Sequence, residues 1–316
     1  MLAADEDGYQ LGRGYHISEA LTVGGYFSAE YKKSDTEDYL TLEDLAVLGY
    51  GKLSDKLSYL VELESVDFYK VDFEADTDRA NTKPAVERLY VDYDYADVAS
   101  FRIGKQLTPV GFWSRQPINV LRETTSSPLL TSQMFPRFLS GIDANGFLPF
   151  DESISYHLYM QANGDIDDRY VNIDVDKHFG ISLEKELFEG VQLGGSVGWF
   201  EEANEDTTRY GAISARYKKG ATTVTSEAVW VSSDRLALPA ADASAVYLQW
   251  EYGFAPKHTI VSRVEYLDDN RVNDQARIGV IGYSFRPVYP VSLKAEFQAD
   301  ADSNNDLFLT SLSVLF

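Results

Sequence analysis

The stretch Val291-Ser292-Leu293-Lys294-Ala295-Glu296-Phe297-Gln298-Ala299-Asp300 alternates without a fault. Successive side chains of a strand point to opposite sides. Val291, Leu293, Ala295, Phe297 and Ala299 therefore share one face, and Ser292, Lys294, Glu296, Gln298 and Asp300 share the other. A polar, turn-prone run from Ala301 to Asp306 follows. Alternation then resumes, with Phe308, Thr310, Leu312, Val314 and Phe316 opposite Leu309, Ser311, Ser313 and Leu315. The unit is a strand of about ten residues with one apolar and one polar face.

The unit recurs upstream. Val246, Leu248, Trp250, Tyr252 and Phe254 oppose Ala245, Tyr247, Gln249, Glu251 and Gly253. Ile154, Tyr156, Leu158 and Met160 oppose Ser155, His157, Tyr159 and Gln161, and Leu89, Val91, Tyr93 and Tyr95 oppose Arg88, Tyr90, Asp92 and Asp94. The periodicity predicts about 16 strands of roughly ten residues. They run over 20–31, 40–52, 57–68, 85–95, 100–107, 141–150, 154–164, 175–186, 190–201, 208–218, 221–232, 243–254, 258–267, 275–285, 291–300 and 306–316. The second is least regular, because Leu45-Ala46-Val47-Leu48 is apolar on both faces. Connections alternate between short (Lys219-Gly220, Ala255-Pro256-Lys257) and long (69–84, 108–140, 165–174). Short turns at one end and longer loops at the other are the layout of a transmembrane β-barrel, with both termini on the short-turn, periplasmic side.

Composition agrees. The chain has 316 residues, 28 basic and 50 acidic, with net charge −22 and no cysteine. That excludes a disulfide framework, a thiolate site and dense phosphate-backbone binding, so no nucleic-acid partner is expected. No apolar run reaches the roughly 18–20 residues of a membrane helix. The mean hydropathy of −0.26 is then an average over lipid-facing and water-facing halves. Met1-Leu2 leads into Ala3-Ala4-Asp5-Glu6-Asp7 with no basic or apolar signal region. Met1 is thus expected to precede a processed start, with 1–19 a periplasmic lead-in. The expected fold is all-β: one transmembrane antiparallel barrel over 1–316. A secreted β-sandwich would also alternate, but soluble strands peak near five or six residues. It would also not place Trp199, Trp230, Trp250 and Phe316 at strand ends, as membrane-interface aromatics sit.

The segment 108–140 breaks the rhythm. A connection this long is usually functional. It carries Arg115, Arg122 and Arg137 against one acid, Glu123, with apolar Phe112, Trp113, Met134 and Phe135 and prolines at 109, 117, 128 and 136. A barrel of about 16 strands leaves an aqueous channel. The segment is read as a constriction loop folded into the lumen, with Arg102 and Asp143 on the flanking strands completing the constriction.

Here a resemblance becomes specific. The strand count, the long third loop and the terminal Phe316 resemble general bacterial porins. The stretch Arg102-Ile103-Gly104-Lys105-Gln106-Leu107-Thr108-Pro109-Val110-Gly111 is similar to the R-x-G-x-x-x-T-P-x-G entry into the third loop of phosphate-selective porin O/P-type proteins. The architectural likeness spans nearly the whole chain, and the motif about a dozen residues. The resemblance implies a trimeric, substrate-filtering channel constricted by the third loop. It also implies recognition of Phe316 by the barrel-insertion machinery. The chain departs from the phosphate-selective members in its negative charge and lack of a dense basic ladder.

On the polar faces, Glu62, Glu64, Asp92, Asp94, Glu227, Glu251, Glu265 and Glu296 are the expected pore-lining acids. Arg88, Arg263, Arg277 and Lys294 are the pore-lining bases. A mixed wall sets up a transverse field, and the acidic excess predicts a modest cation preference. The third-loop arginines leave an anion- or carboxylate-selective channel open as the alternative, and a non-channel barrel (a scaffold, or a sheath for a redox partner) as another. Enzyme readings are poor. The four histidines are scattered, with no HExxH, GxSxG or phosphate loop, and His157 with Ser155 is a weak pair. No cofactor or metal is expected. Acid-rich loops such as Asp35-Thr36-Glu37-Asp38 and Glu201-Glu202-Ala203-Asn204-Glu205-Asp206 offer oxygens for Ca²⁺ without the spacing of a calcium loop. They also suit divalent ions bridging lipopolysaccharide. Ions and small hydrophilic solutes, outer-membrane lipid and a Gram-negative outer membrane complete the expectation.

Overall fold

The computed structural model describes residues 8–96, 98–303 and 305–316. Sixteen long strands close into one antiparallel barrel. They are β1 Leu21–Lys33, β2 Asp38–Ser54, β3 Leu57–Asp72, β4 Ala85–Ala96, β5 Ala99–Leu107, β6 Phe138–Leu148, β7 Asp151–Gln161 and β8 Val175–Phe188. The other eight are β9 Val191–Glu202, β10 Thr207–Lys219, β11 Thr222–Asp234, β12 Ala241–Ala255, β13 His258–Asp269, β14 Asp274–Val288, β15 Val291–Asp300 and β16 Leu307–Leu315. Each strand pairs with its neighbour in sequence. β16 returns to β1 in the register Phe308↔Lys33 through Leu315↔Tyr26. Only two residues separate consecutive strands at 55–56, 149–150, 189–190, 220–221, 256–257 and 289–290. Gly190 and Gly220 take positive φ there (79° and 59°), which a tight hairpin turn requires.

The lead-in expected over 1–19 is partly ordered: Gly14–Ser18 pairs with the start of β1, and Tyr9–Gln10 pairs with Gly14 and Tyr15. Residues 1–7 lie outside the described residues. Most strands are longer than the expected ten residues, β2 reaching 17. The sixth begins at Phe138 instead of 141, because Leu107, Gln106 and Lys105 pair with Phe138, Leu139 and Ser140. The long loop therefore spans 108–137.

The two faces separate as the alternation requires. Leu158, Val197, Ile213, Leu248, Val264 and Ile281 are exposed on the outer face. Trp199 and Trp230 lie on that face towards the long-loop end. Trp250 lies towards the short-turn end, stacked on Tyr252 at 5.8 Å. Phe316 sits at the short-turn end, its N–H bonded to the Gly25 carbonyl at 2.7 Å and its carbonyl to the Gly25 N–H at 2.8 Å. Its ring is 6.4 Å from Phe27. The aromatics thus form two belts, as a barrel spanning a bilayer needs.

The inner face corrects one sequence expectation. Its charge and glycine suggested that it stays wet, yet much of it is dry. Val110, Leu130, Met134 and Phe135 of the long loop pack on Tyr159, Phe200, Tyr210, Val229, Tyr247 and Leu267 of the wall. Ile118 and Val120 pack on Tyr26, Ala46 and Leu48. This second cluster explains why Leu45–Leu48 is apolar on both faces: one face meets the exterior and the other meets the loop.

Ile281, 72% exposed in the middle of β14, tests the outer face. Ile281→Arg is expected to destabilise the barrel by about 2–4 kcal/mol in lipid vesicles. Denaturant titration of vesicle-embedded protein measures it, and an effect near zero would mean that this face does not meet lipid.

Candidate pore constriction

The loop opens with the T-P-x-G motif, Thr108 to Gly111. Gly111 has φ 69°, and a Cβ there would stand 1.7 Å from Glu227 Oε2. Only glycine allows that approach. The carboxylate of Glu227, on the inner face of β11, accepts the N–H of Phe112 at 3.0 Å and of Trp113 at 2.9 Å. The Tyr247 hydroxyl donates to it at 2.5 Å. Ser182 Oγ secures the Pro109 carbonyl at 2.5 Å. Gly104 is needed for a related reason: at φ 132° its Cβ would meet the Leu89 carbonyl at 2.1 Å.

The same device repeats. Glu296 accepts the N–H of Thr125 and of Ser126, both at 3.0 Å, and Glu265 accepts that of Leu129 at 2.7 Å. Arg263 bonds Glu265 at 2.7 Å, Thr124 Oγ1 at 3.1 Å and Ser126 Oγ at 2.7 Å. Lys294 Nζ donates to the carbonyls of Asn119 (2.6 Å) and Thr124 (3.2 Å). Arg286 holds Glu123 at 3.0 Å and the Arg122 carbonyl at 2.7 Å. A loop backbone has no ladder to satisfy it, and buried charges need partners. Each deficit answers the other. Glu227, Arg263, Glu265, Lys294 and Glu296 were expected to line a wet pore. They face inward but are buried, and they hold the loop.

The loop arginines separate in role. Arg115 pairs with Glu184 on β8, and Arg137 with Glu87 on β4 at 3.1 Å. Arg122 donates to Ser127 Oγ at 2.8 Å and is not ion-paired among the described residues. Between loop and wall lies a cavity of about 270 Å³. Glu30, Glu43, Asp44, Glu64 and Glu87 line it from the wall, and Arg122 and Arg137 from the loop. A larger cavity of about 690 Å³ at the long-loop end shares Ser132 and Asn172 with it. A third, of about 230 Å³ towards the short-turn end, shares Trp113, Gln116 and Arg122 with it. The three lie in series through shared lining residues, and Trp113, Gln116 and Arg122 form the ring common to the middle cavity and the third.

Of the remaining expected residues, Glu64 and Glu251 line the cavities on either side of this ring and the others lie apart from it. Glu62 pairs with Arg88, and Tyr26 Oη donates to Glu62 at 2.8 Å and to Glu64 at 3.1 Å. Arg102 pairs with Asp92 at 2.7 Å, and Asp143 with His157 at 2.8 Å. Arg102 and Asp143, expected at the constriction, are cross-strand partners on the wall whose bonds go to wall residues. Asp94 accepts from Ser100 at 2.9 Å, and Glu251 from Gln249 at 2.7 Å. Arg277 is a correction: it shares the outer face with Ile281 and bonds Asp302 of the last long connection at 2.6 Å. In the acid-rich loops, Glu37, Asp38 and Glu201 pair with Lys32, Lys33 and Lys177. In the 162–174 connection, the Arg169 guanidinium holds the Asp167 carboxyl below the usual carboxylate range.

Sequence reasoning missed Glu30, Glu43, Asp44, Glu87, Gln116, Arg216, Lys218 and Arg286. Glu43 and Glu87 are extra residues at β-bulges, between the pairings Ser28↔Asp44 and Ala29↔Leu42 and between Glu62↔Arg88 and Leu63↔Val86. A bulge breaks the parity count. Arg286 fell in an expected turn that is in fact strand. Glu30, Asp44, Arg216 and Lys218 obey parity and were legible.

A barrel of this size with an inward-bonded third connection is the architecture of porin-fold proteins. No family model matches the sequence, and no curated protein matches it. Solved structures do. The anion-selective porin from Comamonas acidovorans matches with TM-score 0.68 at 11% identity, over 94% of this chain and 99% of that one. Salmonella typhi OmpF in complex with daunomycin matches at TM-score 0.64 and 12% identity, over 94% and 97%. The in-vitro folded OmpT of Vibrio cholerae in its trimer form matches at TM-score 0.63 and 14% identity, over 94% and 100%. The chain has the fold of bacterial outer-membrane porins.

Glu227→Ala leaves two loop N–H groups without their acceptor, a penalty of about 1–3 kcal/mol each. Gly111→Ala forces a strained φ and displaces the same carboxylate. Both variants are expected to lower the Tm in detergent and to raise protease nicking within 108–137. Unaltered melting and nicking in both would refute the anchoring role.

Proposed function

We propose that the chain is a porin-type channel of a Gram-negative outer membrane, admitting ions and small hydrophilic solutes by passive diffusion. The long loop folds into the lumen and constricts it. The observation that carries this is the series of three cavities between loop and wall, the first two sharing Ser132 and Asn172 and the last two sharing Trp113, Gln116 and Arg122. The long-loop end faces outward and the short-turn end faces the periplasm. Five wall carboxylates oppose two loop arginines in the middle cavity, so the channel prefers cations modestly. The field across it points from the loop to the wall. A homotrimer is part of the reading, supported by the trimer form among the similar structures. Phosphate selectivity is left out, because acids outnumber bases on the wall of the cavity.

Planar-bilayer recording tests this. The purified protein is expected to give stable open channels, and reversal potentials in a KCl gradient to favour K⁺. The variant E43Q/D44N is expected to lower the K⁺/Cl⁻ permeability ratio by about twofold or more, since both carboxylates face the low-dielectric constriction. Folded protein that opens no channel would sink the reading, and a ratio indifferent to E43Q/D44N would sink the cation preference.

A further inference from the structure

We infer that the cavity on the short-turn side of the ring is a binding site for a small monocarboxylate with an apolar body. The inference rests on the channel reading for its access route. Three cations line the cavity: Arg122 of the loop, and Arg216 and Lys218 on the inner face of β10. None is ion-paired among the described residues. Arg122 is held by Ser127 and lies 5.9 Å from the centre of the Trp113 ring, and Arg216 is held by a long bond to Thr225 Oγ1 at 3.4 Å and by stacking on Phe112 at 4.4 Å. Of the two acids present, Glu123 is taken by Arg286. Glu251 receives a hydrogen bond from Gln249 and is the one other carboxylate lining this cavity, the five wall carboxylates facing Arg122 from the middle cavity.

The chemistry of the lining points to the class of ligand. A carboxylate supplies two oxygens, which suits a guanidinium fork. The surplus charge is small and Glu251 repels a dianion, which disfavours phosphate. Trp113 and Leu121 add apolar surface for the body of the solute, and about 230 Å³ admits a single ring.

Benzoate is the probe. In planar bilayers it is expected to reduce the KCl current saturably, and in calorimetry of the detergent-solubilised protein to bind with the same half-saturation. R216Q/K218Q should raise the half-saturating concentration by about tenfold or more, and K218Q alone by about threefold, which serves if the double variant does not fold. R209Q, on the outer face, should match the parent. A linear response, an unshifted double variant, or tighter binding of inorganic phosphate than of benzoate would each overturn the site. Open channels without saturation remove the site and leave the channel standing. Saturable calorimetry without channels removes the channel and leaves the site.

Discussion

Everything in this molecule depends on closure of one antiparallel sheet. In hydrocarbon an unpaired backbone N–H or C=O has no water to satisfy it, so a spanning sheet must have no edge. β16 supplies the last pairing by returning to β1, and the terminal Phe316 extends that ladder to Gly25. Closure fixes the alternation of side chains for every strand at once. The outer residues form an apolar band with aromatic belts, and the inner residues enclose a space wide enough for another segment of chain.

That enclosed space creates the second problem, which the loop answers. Inner carboxylates such as Glu227, Glu265 and Glu296 would be poorly solvated beside an apolar wall. The loop backbone would carry unpaired N–H groups. Joining them removes both penalties. The packing of Val110, Leu130, Met134 and Phe135 then turns part of the interior into a dry core, and open space remains in the cavities between loop and wall, the middle one a strip against β1–β4. The polarity of that strip is consequently set by which charges the loop leaves unpaired. Arg115 and Glu123 are engaged elsewhere, whereas Arg122 is not.

How legible this was varies residue by residue. The strand pattern was plain in Val291–Asp300 and its repeats, because one face met lipid and the other did not. Leu48 looked anomalous for a reason invisible in its own strand, the contact with Val120. Glu43 and Glu87 were hidden by bulges, which shift parity without changing composition. Arg277 was misassigned because a strand end beyond the bilayer tolerates charge on its outer face. The T-P-x-G motif was visible as a motif, while its purpose, the approach of Glu227 to the N–H groups after Gly111, joins residues far apart in the chain.

The sequence by itself determined the barrel, its strand count, the two faces and the location of the unusual loop. These follow from local periodicity, and a period-two pattern needs no partner to be read. The tertiary structure alone decided which inward charges line the cavities and which are buried anchors. Parity says only that a side chain points inward. Whether water, a loop backbone or an opposing charge waits there depends on contacts between distant segments, which no local pattern encodes.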